Sequence, residues 1–137
     1  MPAMQRLWLL AAVLLLGCQP ATPATNSAPQ EFVSVDLLRR LDYSAVSRND
    51  TRTLTDPQAI SRLESFFPQL ETDRVSNLHA DWYPWIVIQF KRADGSMTDV
   101  ASDYRLYRID DAKRGDFVAA PGFADFVEQL FALPPSP

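Results

Sequence analysis

The stretch from Trp85 to Ile109 constrains this chain most, because it spells a β-hairpin together with its own turn. Its first arm, Trp85-Ile86-Val87-Ile88-Gln89-Phe90, is the densest β-branched and aromatic run outside the N-terminus, the composition that suits a half-buried pleated surface. The turn is Ala93-Asp94-Gly95. A two-residue Asp94-Gly95 turn would set Ile86 opposite Asp103 and Phe90 opposite Asp99. A three-residue loop, with Gly95 left-handed as a bulge, pairs Arg92 with Ser96 instead. Ile88 then faces Val100, and Phe90 faces Thr98. A slip of one residue sends every side chain to the other face, so the apolar pattern selects the three-residue loop. Trp85 and Val87 then share one face, near Asp103 and Ala101, while Ile86, Ile88 and Phe90 share the other.

Other elements are arranged around that hairpin. From Phe32 to Leu38 the sequence alternates, with Val33, Val35 and Leu37 on one side, which predicts a strand. Leu41, Tyr43, Ala45 and Ser47 continue the alternation, either as the same strand or as a second one. Ser47-Arg48-Asn49-Asp50 has turn composition, and Thr51 to Thr55 is a short β-branched run leading out of it. Thr55-Asp56-Pro57 predicts a helix start, a capping acid followed by proline where a missing N–H costs nothing. Ile60, Leu63, Phe66 and Phe67 follow at helical spacing, and Pro68 ends the run. This aromatic stripe reads as core packing. Gln69 to Asp81 is polar and irregular, and Asp110 to Asp116 reads as a charged loop. Pro121 opens a second predicted helix, with Phe123, Phe126, Val127, Leu130 and Phe131 as its apolar stripe. The order strand, strand, helix, strand, strand, helix predicts a two-layer α+β domain: an antiparallel sheet with two helices packed on one face.

Both ends of the chain differ from this middle. Arg6 and the apolar run Leu7 to Leu16 form an n-region and an h-region, and the run is shorter than the roughly 20 residues that span a bilayer. Leu15-Leu16-Gly17-Cys18 follows. This resembles the lipobox of bacterial lipoproteins: Leu three before the cysteine, a small residue just before it, and then the cysteine. Leu16 departs from the small residue usual at its position. The resemblance covers the first 18 residues and implies cleavage after Gly17, a diacylglyceryl thioether at Cys18 and acylation, such as with palmitate, of the new amino terminus. In that family an Asp directly after the cysteine marks inner-membrane retention. Gln19 stands there, so the resemblance implies an outer-membrane lipoprotein facing the periplasm. The outline of the rest is also similar to that of small bacterial lipoproteins.

Cys18 is the single cysteine, so no disulfide can form within the chain, and a thioether would remove the one free thiol. Residues 18–30 read as the lipidated cysteine and a mobile, uncharged Pro/Ala/Thr tether. The folded domain is expected over 31–133, and 134–137 form a proline-rich tail. Without residues 1–17 the chain holds 12 basic and 17 acidic side chains, a net charge of −5. That balance argues against nucleic acid and against an electrostatic grip on anionic lipid headgroups. Membrane attachment falls to the Cys18 lipid.

A search for reaction chemistry returns little. One histidine, His79, and one cysteine give neither a Cys/His nucleophile pair nor a His- or Cys-rich zinc site. No serine lies in a nucleophile elbow, and four glycines supply no phosphate-cradling loop. His79 and Asp81 offer two metal ligands without a third nearby. Asp110, Asp111 and Asp116 lack the alternating spacing and closing Glu of a calcium loop. Arg114-Gly115-Asp116 matches an adhesion tripeptide, as a short turn does by chance. No metal and no cofactor is expected.

Two constellations remain as candidate binding surface. Trp82-Tyr83-Pro84-Trp85 places three large aromatics at the mouth of the hairpin, either capping the core or forming a stacking surface. Ser102 to Arg108 combines Tyr104 and Arg105 on a strand, where an Asp–Arg pair on a solvated face is the plainer reading. The expected function is a non-catalytic binding or accessory module of the envelope, its partner an envelope protein or a glycan. The alternative is a cell-wall hydrolase working through carboxylates alone, with Asp99 or Asp103 near the aromatics.

Overall fold

A computed structural model describes residues 31–43, 49–110 and 114–134. The signal segment, Cys18, the tether and residues 135–137 lie outside the described residues. Six strands form one antiparallel sheet: β1 (Phe32–Arg40), β2 (Asn49–Leu54), β3 (Ile86–Arg92), β4 (Met97–Ser102), β5 (Leu106–Ile109) and β6 (Phe117–Val118). Their order across the sheet is β2-β1-β3-β4-β5-β6. Two helices, α1 (Pro57–Glu64) and α2 (Phe123–Ala132), complete an α+β fold.

The hairpin has the register that the apolar pattern selects. Ile88 pairs with Val100, Phe90 with Thr98 and Val87 with Ala101. Arg92 N–H donates to the Ser96 carbonyl at 2.9 Å across the turn, and Gly95 takes φ +86°, the left-handed region that glycine enters without penalty. Ile86, Ile88, Phe90 and Val100 are all fully buried. They form the floor on which the helices lie.

The second arm does not run on to Ile109 as one strand. It stops at Ser102, turns through Asp103-Tyr104-Arg105 and returns as β5, which pairs Tyr107 with Ser102 and Ile109 with Val100. Asp103 makes the turn. Its carboxylate accepts from the N–H groups of Arg105 at 2.9 Å and Leu106 at 2.7 Å, while Tyr104 sits at φ +77°. Tyr104 and Arg105 therefore occupy a tight turn rather than a strand.

β1 departs from strict alternation at one place. Its pairing with β3 shifts between Phe32 and Ser34, leaving Val33 as the extra residue of a bulge. Phe32 takes the inward position that alternation gave to Val33. Phe32 is 3% exposed and packs its ring 4.9 Å from Phe90, whereas Val33 is 49% exposed. β1 ends at Arg40, and the alternation beyond it is not strand at Leu41–Tyr43. Residues 44–48 lie outside the described residues. Asn49 and Asp50, expected in a turn, already belong to β2, opposite Arg40 and Arg39.

Both helices follow their caps. The Asp56 carboxylate accepts from Ala59 N–H at 3.0 Å, with Pro57 at the first helical position. After Glu64 the chain turns tightly and delivers Phe66 and Phe67 to the core. Phe67 meets Tyr107 and Phe123, each at 4.9 Å between ring centroids. α2 begins at Phe123 behind Gly122 at φ +91°, so Pro121 precedes the cap instead of opening the helix. Its stripe of Phe123, Phe126, Val127 and Phe131 is buried, with Leu130 partly so.

Candidate functional site

The face of the sheet opposite the helices is crossed near one end by the segment that enters β3, and the candidate site forms there. The crossing begins at a buried acid. Asp116, expected in a charged loop, has no solvent exposure. Its carboxylate accepts from Ala80 N–H at 2.7 Å and from Arg108 Nε at 2.8 Å. Its own N–H donates to the Leu78 carbonyl at 2.8 Å. Burial raises the Asp116 pKa, but the Arg108 hydrogen bond, the Ala80 N–H and the neighbouring Trp82 indole outweigh it and hold the group below the usual carboxylate value. The indole Nε1 is buried without an acceptor in full hydrogen-bond geometry, so its help is a dipole contribution only.

Residues beside Asp116 fit the same junction. Gly115, at φ +78°, lies so close to the backbone that a Cβ would stand 2.4 Å from the Ser76 carbonyl oxygen. The Arg114 guanidinium donates to the carbonyls of Gln69, Thr72 and Arg74. Arg114-Gly115-Asp116 is thus a structural knot and not a displayed tripeptide. These contacts fix where the segment 80–85 starts across the sheet.

From there alternate aromatics take different neighbours. The Arg108 guanidinium lies over the Trp82 ring, 4.9 Å from its centroid. Arg40 lies over the next ring, Tyr83, at 5.3 Å. Trp85 ends the crossing and ties to β1 through its carbonyl, which accepts from Arg40 N–H at 2.8 Å. Trp85 and Val87 share the outward face, as the register requires. Tyr43, just beyond β1, closes the group: its centroid is 4.5 Å from both Tyr83 and Trp85, and Tyr83 and Trp85 are 5.0 Å apart. Tyr83 and Trp85 are half-buried, whereas Tyr43 is 69% exposed. The three rings belong to no part of the hydrophobic core.

Of the five residues expected to form one surface, the structure brings Tyr83 and Trp85 together. Trp82 is turned into the Arg108–Asp116 contact. Tyr104 leans to the helix side, half-buried against Phe123 at 5.9 Å, and burial raises its pKa. Arg105 is exposed and pairs with Asp103 at 3.4 Å. Sequence reading missed Tyr43 and Arg40. Tyr43 was visible only as one position in an alternation, and Arg40 as the residue after a strand's apolar run.

Further along the same face, polar side chains are paired with each other. Asp36 accepts from Lys91 at 2.5 Å and Thr53 at 2.7 Å, and both contacts lower its pKa; Gln89 donates to Asp99 at 3.1 Å. Asp36, Thr53, Gln89 and Asp99 line a shallow depression of about 440 Å³ together with Leu38 and Val87. The two acids weighed for catalysis are both occupied, Asp99 by Gln89 and Asp103 by its turn. His79 and Asp81 are exposed, and among the described residues no three ligands gather around a metal position. No helix of the described residues is long and apolar enough to cross a membrane. No protein-family model matches the chain, and no curated protein or solved structure is significantly similar to it.

Proposed function

We propose that this chain is a lipid-anchored envelope protein, held in the outer membrane through Cys18, whose periplasm-facing domain is a non-catalytic binding module. The Tyr43–Tyr83–Trp85 group is its contact surface. One observation carries the reading: three mutually packed aromatic rings stand outside the core, on the sheet face opposite α1 and α2. Apolar groups gathered at a surface mark interaction sites, and tyrosine and tryptophan are the side chains most often energetically dominant there. The placement suits a tethered protein. The tether enters β1 at Phe32, and the aromatic group stands at the Arg40 end, about 26 Å away for a nine-residue strand.

Two measurements test it. Labelled palmitate enters the wild-type chain and is lost in Cys18→Ala. That same unlipidated variant, as the full chain, co-sediments with delipidated cell envelopes and ceases to do so when Tyr43→Ala and Trp85→Ala are added. Equal retention with and without the two rings would remove the surface from the proposal.

A further inference from the structure

The segment Trp82-Tyr83 carries the same arrangement twice, and only one copy is complete. In the first, Arg108 lies over Trp82 and its Nε meets the Asp116 carboxylate at 2.8 Å. In the second, Arg40 lies over Tyr83 at 5.3 Å and forms no ion pair among the described residues. A guanidinium stacked on a ring keeps its N–H donors in its own plane, pointing past the ring edge, where they match the two oxygens of a carboxylate. Stacking also fixes the fork, so less freedom is lost when a partner arrives. Around the incomplete copy stand the exposed Tyr43 and the half-buried Trp85, packed edge to face at 4.5 Å, and such aromatic rings suit the C–H groups of a sugar. On this face Lys91 already holds Asp36, as Arg108 holds Asp116.

We propose that the Arg40–Tyr83 stack is the vacant counterpart of the Arg108–Trp82–Asp116 contact, and that it takes the carboxylate of an acidic glycan whose rings lie on Tyr43 and Trp85. The inference rests on the aromatic group being the contact surface and names the ligand class for it. Arg40 supplies the paired hydrogen bonds. Tyr83 holds the guanidinium, and Tyr43 and Trp85 carry the sugar rings. A neutral glycan would leave the arginine without its partner, so charge on the sugar, and not ring stacking alone, sets the preference.

The test uses the full lipidated chain in detergent and two probes, oligogalacturonic acid and its methyl ester, which share one sugar backbone while the ester replaces each charged carboxylate by a neutral methyl carboxylate. Calorimetry should find the acid bound roughly tenfold or more tighter than the ester, the order expected for hydrogen bonds to a charged group. Raising the salt should narrow that gap. Arg40→Gln should bind both probes equally and weakly; Arg40→Lys should keep a reduced preference, having the charge without the fork. Tyr43→Ala should weaken acid and ester alike. Equal binding of acid and ester by the wild type, or an unchanged preference in Arg40→Gln, would overturn the inference. So would a hexaglutamate peptide that binds as tightly as the acidic sugar. If envelope retention still needs Tyr43 and Trp85 while the acid preference is missing, this inference alone fails. If retention ignores those rings as well, the contact surface fails with it.

Discussion

Trp82 and Tyr83 are neighbours in sequence, each beneath an arginine, yet they belong to different parts of the molecule. Trp82 is folded into a closed set of contacts in which Arg108, Asp116 and Ala80 satisfy one another. Tyr83 stands at a surface where Arg40 has a ring beneath it and forms no ion pair among the described residues. The difference lies in the supply of a carboxylate from within the chain. Where Asp116, just before β6, meets Arg108, the stack becomes part of the fold; Arg40 meets no such carboxylate in an ion pair among the described residues. An arginine–aromatic contact therefore says little about function until its remaining donors are traced.

The largest effect is expected on the closed side. Asp116→Asn leaves the Arg108 guanidinium, itself 32% exposed, facing an amide at a fully buried position. Removing one partner of such a hydrogen-bonded contact costs about 1–3 kcal/mol, read as the shift in chemical denaturation. A change under about 1 kcal/mol would mean that Asp116 is not what ties the 80–85 crossing to the sheet.

Acid titration gives the next effect. Asp116 and Asp36 both ionise more easily folded than unfolded, since each pKa is lowered. Their stabilisation is fully present above the ordinary value of 3.8 and fades as pH falls from there through the lowered folded values. The wild-type chain should lose stability over that acid window, and Asp116→Asn should lose less across it. An identical slope in the two proteins would contradict the assignment. The smallest effect belongs to the open side: Arg40→Gln should move stability by no more than about 0.5 kcal/mol, as surface changes generally do. A loss near that of Asp116→Asn would erase the contrast between the two stacks.

How much of this was legible depends on the length and periodicity of each signal. The β3–β4 register could be read because one face is entirely apolar and Gly95 fixes the turn. Both helices could be read from their apolar stripes, and α1 also from its Asp56-Pro57 cap. The two-residue β6 and the four-residue β5 carry too few positions for alternation to show. The bulge at Val33 is invisible because Phe32 and Val33 satisfy an apolar pattern equally well. The site was half legible. Trp82 to Trp85 stand out by composition, but which of them faces inward depends on Asp116, which is held by Ala80, 36 residues away in sequence. Arg40 and Tyr43 entered the site only through the return of the chain at Trp85.

The central claim is that the aromatic end of the sheet lies outside the core and is free to bind. Chemical denaturation of Trp85→Ala tests it most directly. Half-buried against Tyr43 and Tyr83 and away from the helices, Trp85 should cost no more than about 1 kcal/mol when truncated, near the centre of point-mutant effects. A loss of about 3–5 kcal/mol, the cost of truncating a core tryptophan, would place it in the interior and contradict the claim.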